Sequence, residues 1–445
     1  MQTQCFLLVS ALVWSLGAPL ALAQDAAVAP TPTVGSTDET PPGLPPLPAD
    51  AVTLETALAE ASNAATDPVV AALQISRAQA AERMALGAVL PFVNGSGNLY
   101  QYDSSIERAG SLIRGARAYD INLQVGVNLS GRALNALSTT AAQTRVAEMQ
   151  SEDAQRLARA TAAKAFFAVL AARRNAEILR SQYAAAVRQD AAVRVRVEVG
   201  TAVPLDRARS ELAVLDISRR IVDADAQLQR SWDVLGLALG RETPVNATDV
   251  AEPEQHESLG DFLDRAMNAR PDLRALHGQI EVAEHGVDDA WWRFGPTLGI
   301  SWSATYRGPT TLFSPDPSSW TALATLTVPF FDGGVRYGAI RDARAAVEQA
   351  RVREAALGRS IRADVRDAFR RVESTAQGIE IASRSADVAR SNAARAEAAF
   401  AAGASNGIEL DDARRNLEQA EITLLLRRLD RQIALIDLLT AAGQL

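Results

Sequence analysis

Residues Tyr119–Ser130 read YDINLQVGVNLS. The odd positions carry Tyr119, Ile121, Leu123, Val125, Val127 and Leu129, and the even positions carry Asp120, Asn122, Gln124, Gly126, Asn128 and Ser130. A strict period of two marks a β-strand with one apolar and one polar face. Strands of soluble sheets usually run about five or six residues, whereas about ten alternating residues cross a bilayer as a tilted strand. Beyond Ser130 the alternation stops. Residues 132–199 contain neither proline nor glycine and are crowded with Ala, Arg, Glu and Gln. As a single helix they would extend about 100 Å at 1.5 Å per residue.

Upstream, helical spacing runs from Thr53 to Val89 and ends at Pro91. A strand of weaker alternation follows at about 92–103, then a polar loop with Gly110 and Gly115, then the strand at about 118–130. Downstream, Gly200 interrupts the long helix, Pro204 suits the first turn of a new one, and helical spacing resumes to about Leu239. The programme then repeats. Leu259-Gly260-Asp261-Phe262-Leu263 answers Leu54-Glu55-Thr56-Ala57-Leu58, and Pro296 answers Pro91. Gly403 answers Gly200, and Gly443 answers Gly240. Two further strands fall at about 297–307 and 319–331, the first alternating on Leu298, Ile300, Trp302, Ala304 and Tyr306. The second places Trp320, Ala322, Ala324, Leu326, Val328 and Phe330 on one face. The expected organisation is a first unit at 51–240, a linker at 241–258 and a second unit at 259–445. Each unit runs helix, strand, strand, long helix, turn, helix.

The 445 residues are 48% hydrophobic, enough for a large core or several smaller ones. A net charge of −8 and a pI near 5.2 argue against a nucleic-acid partner, which needs a basic surface. Residues 1–23 carry no charged side chain and are expected to be a signal peptide. They hold an apolar run from Cys5 to Leu16, a Gly17-Ala18-Pro19 breaker and Ala21-Leu22-Ala23 as an A-x-A cleavage site. Cys5, the sole cysteine, lies at the front of the apolar run, so no lipid anchor is expected at the cleavage site. Export would leave a chain without disulfides or thiol chemistry. The proline-rich residues 24–50 are expected to be a disordered leader. No later segment approaches 18 uninterrupted apolar residues, the shortest run that reads as a transmembrane helix.

Four membrane-length strands per chain cannot close a barrel, and an open edge in lipid leaves backbone groups unpaired at several kcal/mol each. The chain must associate, and three copies give twelve strands, an even number wide enough for a lumen. Tyr119, Tyr306, Trp320, Phe330 and Phe331 at strand ends fit a belt of aromatics at the membrane interface. In the last helix Ile422, Leu425, Leu429, Ile436 and Leu439 follow a coiled-coil seam broken only by Gln432. A periplasmic coiled-coil protein with a small soluble β-domain is the rival reading. Soluble sheets rarely keep three alternating segments of about nine to twelve residues, and an all-helical bundle would leave the long strands without a purpose.

These features together resemble the TolC family of outer-membrane channel-tunnels over residues 50–445. The resemblance is carried by Leu54, Ala57-Leu58 and Asp67-Pro68, and by Arg270-Pro271-Asp272-Leu273 in the second half. Val328-Pro329-Phe330-Phe331-Asp332-Gly333-Gly334 and Gly403 with Leu410-Asp411-Asp412-Ala413 complete it. The resemblance implies a mainly α fold with membrane β: a trimeric twelve-stranded outer-membrane barrel continued by a long periplasmic α-helical barrel. It further implies docking to a periplasmic adaptor (membrane fusion) protein and an inner-membrane ABC or RND transporter. The duct would serve type I protein secretion, for instance of an RTX-type toxin, or the efflux of small molecules or metals.

Glu409 and Asp412 are three apart and share one face of the helix that starts at Gly407. By resemblance they ring the periplasmic mouth, with Asp411 beside them. In a trimer, six carboxylates at a constriction would favour cations, although acidic residues also stabilise a helix N-terminus on their own. The equivalent turn of the first half, Gly200 to Arg207 with Pro204, carries one acid and one base, so the two turns are not expected to act alike. By resemblance the tips at Gly200, Pro204, Gly403 and Gly407 meet the adaptor. His277, Glu281 and His285 with Glu284 form a stripe on one helix, more often a solvated face than a metal site, and His256 is the only other histidine. No G-x-S-x-G, P-loop, H-E-x-x-H or dinucleotide fingerprint is expected, so neither enzyme chemistry nor a cofactor is expected.

Overall fold

The computed structural model describes residues 43–248, 257–405 and 407–445. The expected signal peptide, most of the proline-rich leader, Cys5 and His256 lie outside the described residues. The first half contains β1 (Ala51–Val52), α1 (Leu54–Ala64), α2 (Thr66–Val89), β2 (Phe92–Gln101), β3 (Ile106–Arg108) and β4 (Ser111–Arg114). It continues through β5 (Arg117–Ser130), α3 (Gly131–Glu198), α4 (Pro204–Ala238) and β6 (Asn246–Ala247). The second half contains α5 (Leu259–Ala269), α6 (Pro271–Trp292), β7 (Thr297–Gly308), β8 (Ser318–Thr327), α7 (Val335–Ala401) and α8 (Gly407–Ala441).

The duplication reaches down to local chemistry. Thr53 caps α1 reciprocally with Thr56, its backbone N–H donating to Thr56 Oγ1 at 2.9 Å. Ser258 caps α5 with Asp261 in the same way, and its hydrogen bonds hold the Asp261 carboxyl below the usual carboxylate range. Both halves break their first helical run. Arg270 stands before Pro271, a position that disfavours helical backbone, and adopts ψ 123°. In the first half the break is at Ala65, where no proline occurs, so the expected single helix from Thr53 to Val89 is two. Gly240 explains the geometry. Its Cα lies so close to the Ala64 carbonyl that a Cβ would sit 2.2 Å from that oxygen.

The long strands form one antiparallel sheet in the order β2-β5-β7-β8. Ile121 pairs with Tyr306, Val125 with Trp302, Val127 with Ile300 and Leu129 with Leu298. Leu298 in turn pairs with Leu326, and Ala304 with Trp320. The alternation of separate strands thus merges into one continuous apolar face, with Asn, Gln, Ser and Thr on the other. Many of the apolar side chains, among them Ile121, Leu129, Ile300, Trp302 and Leu326, are exposed. A soluble protein rarely leaves so large an apolar patch open.

Three strand expectations are corrected. The first strand ends at Gln101 rather than near 103, and the polar loop beyond it holds the β3–β4 hairpin. The last strand ends at Thr327, so Val328, Phe330 and Phe331 lie beyond it. Pro329 accounts for this, because it has no N–H to give a ladder. The 241–258 linker contains β6, which pairs in parallel with β1 and ties the start of the first unit to its end.

All four strands of the sheet join helices at the same end, and loops occupy the other. Below the sheet the helices lie side by side as α2, α3, α6 and α7; further on, the order is α4, α3, α8 and α7. Around the junction of these layers sits the main core of Phe166, Val169, Leu228, Trp232, Leu235 and Ile436, with α1 and β1–β6 packed on it. A second core joins Phe262, Ile361, Val365 and Leu438. Gln432, read as a break in the seam of the last helix, is only 6% exposed, so the seam runs through it.

Candidate functional site

The two helical hairpins end in matching turns. Gly200 (φ +79°) follows α3 and Gly403 (φ +72°) follows α7, both left-handed conformations that glycine adopts without a Cβ penalty. Thr201 N donates to Arg196 O at 2.8 Å and Ala404 N to Ala399 O at 2.9 Å, so each turn satisfies its helix's last carbonyls identically. The tips meet over a cavity of about 600 Å³, lined by Arg196, Thr201, Asp206, Arg209, Phe400, Gly403, Ser405 and Asp411 among others. Arg196 closes one side. Its guanidinium donates to Phe400 O at 2.5 Å and lies 4.0 Å from the Phe400 ring centroid.

The three acidic candidates separate. Asp411 turns inward and accepts from Gln189 Nε2 of α3 at 2.9 Å. Gln189 is buried and also accepts from Arg414, which pairs with Glu397 of α7 at 2.7 Å. Glu409 and Asp412 are exposed, as their shared face requires. Glu409 accepts from Ser405 Oγ at 2.6 Å, and Asp412 pairs with Arg415 one turn on. The Arg415 partner was readable from the i, i+3 spacing and reduces the charge Asp412 can present. Pro204 begins α4 and Gly407 begins α8. The expectation that the chain holds no G-x-S-x-G is corrected, because Gly403 to Gly407 spells it. It lies in a helix–helix turn, not the strand–turn–helix elbow of a nucleophilic serine, and the described histidines lie in α6.

The aromatic candidates occupy both ends of the apolar band. Tyr119 and Tyr306 sit together at the loop end, ring centroids 6.3 Å apart, with Trp320 opposite Ala304 on the same face. Phe330 and Phe331 lie at the helix end, 92% and 88% exposed. Sequence reasoning missed their companions Trp291, Trp292, Phe294 and Tyr337, although a tryptophan doublet just before a membrane strand was a visible signal. Phe294 packs against Tyr337 at 5.3 Å and under the Arg336 guanidinium at 4.5 Å. Arg336 in turn bonds Asp332 Oδ2 at 2.7 Å and Pro329 O at 2.7 Å, pinning the chain where strand becomes helix. The histidine stripe is taken up by ion pairs: Arg145 holds Glu281 at 2.6 Å and Arg351 holds Glu284 at 3.0 Å. Among the described residues no group of His, Cys, Asp and Glu side chains is placed to hold a metal.

A lipid-facing sheet continued by long paired helices matches known proteins. Residues 262–444 fit the family described as "Outer membrane efflux protein". In this the chain resembles the TolC-like channels. The chain is 25% identical to outer membrane protein OprJ of Pseudomonas aeruginosa over 391 residues, 83% of this chain and 80% of that one. It is 24% identical over 337 residues to outer membrane protein TolC of Vibrio cholerae, 73% of this chain and 77% of that one. The CmeC outer membrane channel of Campylobacter jejuni shares its fold with a TM-score of 0.76 at 15% identity, over 88% of this chain and 85% of that one. The chain is thus an outer-membrane channel and not an enzyme.

Proposed function

We propose that three copies of this chain close into the exit duct of a tripartite export system, spanning the outer membrane and reaching into the periplasm. The observation that carries the reading is the four-stranded sheet with an exposed apolar face and edge strands β2 and β8. Pairing β8 of one copy with β2 of the next removes both open edges and places the apolar face in lipid. The helices support the same closure. The outer helices α4 and α7 expose Leu205, Leu212, Leu215 and Val222 on one and Val352, Ile381 and Val388 on the other, where a neighbouring copy would cover them.

Energy comes from partners: a periplasmic adaptor protein that engages the hairpin tips, and an inner-membrane ABC or RND transporter that loads the duct. The helical mouth opens when the adaptor engages it, with no chemistry in this chain. The match to the family described as "Outer membrane efflux protein" supports small-molecule efflux, with type I protein secretion as the alternative cargo. At the mouth, Glu409 and Asp412 form a ring of carboxylates that attracts cations, each tempered by Ser405 or Arg415. The test is mass in detergent together with planar-bilayer conductance. A trimer that conducts with cation preference supports the duct, and a soluble monomer that never conducts overturns it.

A further inference from the structure

We infer that the exit end of the barrel carries a tyrosine platform, Tyr100 with Tyr102, on which planar aromatic cargo stacks as it leaves. The inference rests on the duct reading, which makes the polar face of the sheet the lumen. Strand register assigns Tyr100 to that face. It pairs with Ala118, which shares the parity of Asp120, Asn122 and Gln124, while the lipid-facing set has the opposite parity. Around it the face is built from Asn94, Ser96, Asn98, Asn122, Gln124 and Ser303. An aromatic ring 41% exposed on this polar face is turned away from the lipid-facing set.

Beside the ring, Asn98 Nδ2 donates to the Asp120 carboxylate at 3.0 Å, and Asn98 and Asp120 stand opposite each other two residues from Tyr100 and Ala118. The Tyr100 and Tyr102 rings are nearly parallel, 10° apart in plane with centroids 6.2 Å apart. Arg114 lies 4.4 Å from the Tyr102 ring centroid and 3.6 Å from Asp103. Asp120 faces Arg307 across the ladder. Charges at this end are therefore matched locally, so the platform selects by ring stacking rather than by net charge. Three copies would set three platforms around the exit.

Ethidium, a planar aromatic cation, and tetrabutylammonium, a cation without a ring, are added to the loop side of the trimer in a planar bilayer. Potassium chloride conductance is recorded alongside. The expected result is block by ethidium at about tenfold lower concentration than by tetrabutylammonium. Tyr100→Ser abolishes that preference and Tyr100→Phe retains it, while Tyr100→Leu serves in place of the serine variant if that one does not assemble. An ethidium preference unchanged in Tyr100→Ser or Tyr100→Leu overturns the platform. An absence of any preference in the unaltered protein overturns it too. Absence of potassium chloride conductance from the unaltered protein would instead overturn the duct.

Discussion

The two halves of the chain share their element order and their turns but not their side-chain chemistry. At the tips the backbone solution is the same, a left-handed glycine closing a long helix. The first tip exposes Val199, Val203 and Leu205, whereas the second exposes the carboxylates Glu409 and Asp412 beside a single large apolar side chain, Ile408. At the helix breaks the first half uses only the close approach of Gly240 to Ala64, with Arg241 reaching Glu60 at 2.5 Å nearby. The second half buries a charge there. Arg270, 8% exposed, holds Asp272 at 2.6 Å and donates to Ala441 O at 3.1 Å at the end of α8. Duplication preserved the frame, because helix ends and breaks obey backbone sterics. The side chains were free to diverge, one tip keeping exposed aliphatic residues and the other gaining carboxylates.

The sharpest way to break this comparison is at the two helix breaks. Arg270→Ala should destabilise the second half by about 3–5 kcal/mol, because it leaves Asp272 half-buried and unpaired and removes a donor from α8. Glu60→Gln, at the partly exposed pair of the first half, should cost about 1 kcal/mol or less. Chemical denaturation in detergent measures both, and equal losses would contradict the asymmetry. At the tips, replacing Glu409 and Asp412 together with Ala should weaken block by multivalent cations about tenfold and lower cation preference. Replacing Val203 and Leu205 with Ser should leave selectivity unchanged and weaken adaptor binding. Single-channel recording separates the two pairs of variants.

The shared backbone makes a smaller prediction. Gly200→Ala and Gly403→Ala should each cost about 1–2 kcal/mol, since a Cβ meets open space at both and only the left-handed backbone resists it. Unequal costs would show that the turns differ in more than side chains. The smallest effect concerns pH. Burial opposes ionisation of Asp272, but its hydrogen bonds and charge pairing with Arg270, helped by Arg156, outweigh it and hold the carboxyl below 3.8. The stability this contributes is fully present above pH 3.8 and is lost as pH falls through the lowered value. Melting curves of the unaltered protein should show that slope, and Arg270→Ala should lose it.

Much of this architecture is local and so was written in the sequence. Alternation at 119–130 and 298–306 announced lipid-facing strands, because one residue of slip reverses every side chain. The absence of Pro and Gly over residues 132–199 announced the long helix, and the recurrence of Pro91 as Pro296 announced the duplication. Only the tertiary structure decided what depends on partners distant in sequence. The order β2-β5-β7-β8 makes β2 and β8 the edges, a matter of pairing across the two halves that no single strand records. Arg336 gathers Asp332 and the Pro329 carbonyl just past the last strand, leaving Phe330 and Phe331 in the open. Gln189 reaches across more than two hundred residues to Asp411, turning one predicted mouth carboxylate inward while its neighbours stay exposed. Periodicity specifies which way a side chain points from its own element; what it meets there is set by the packing of the others.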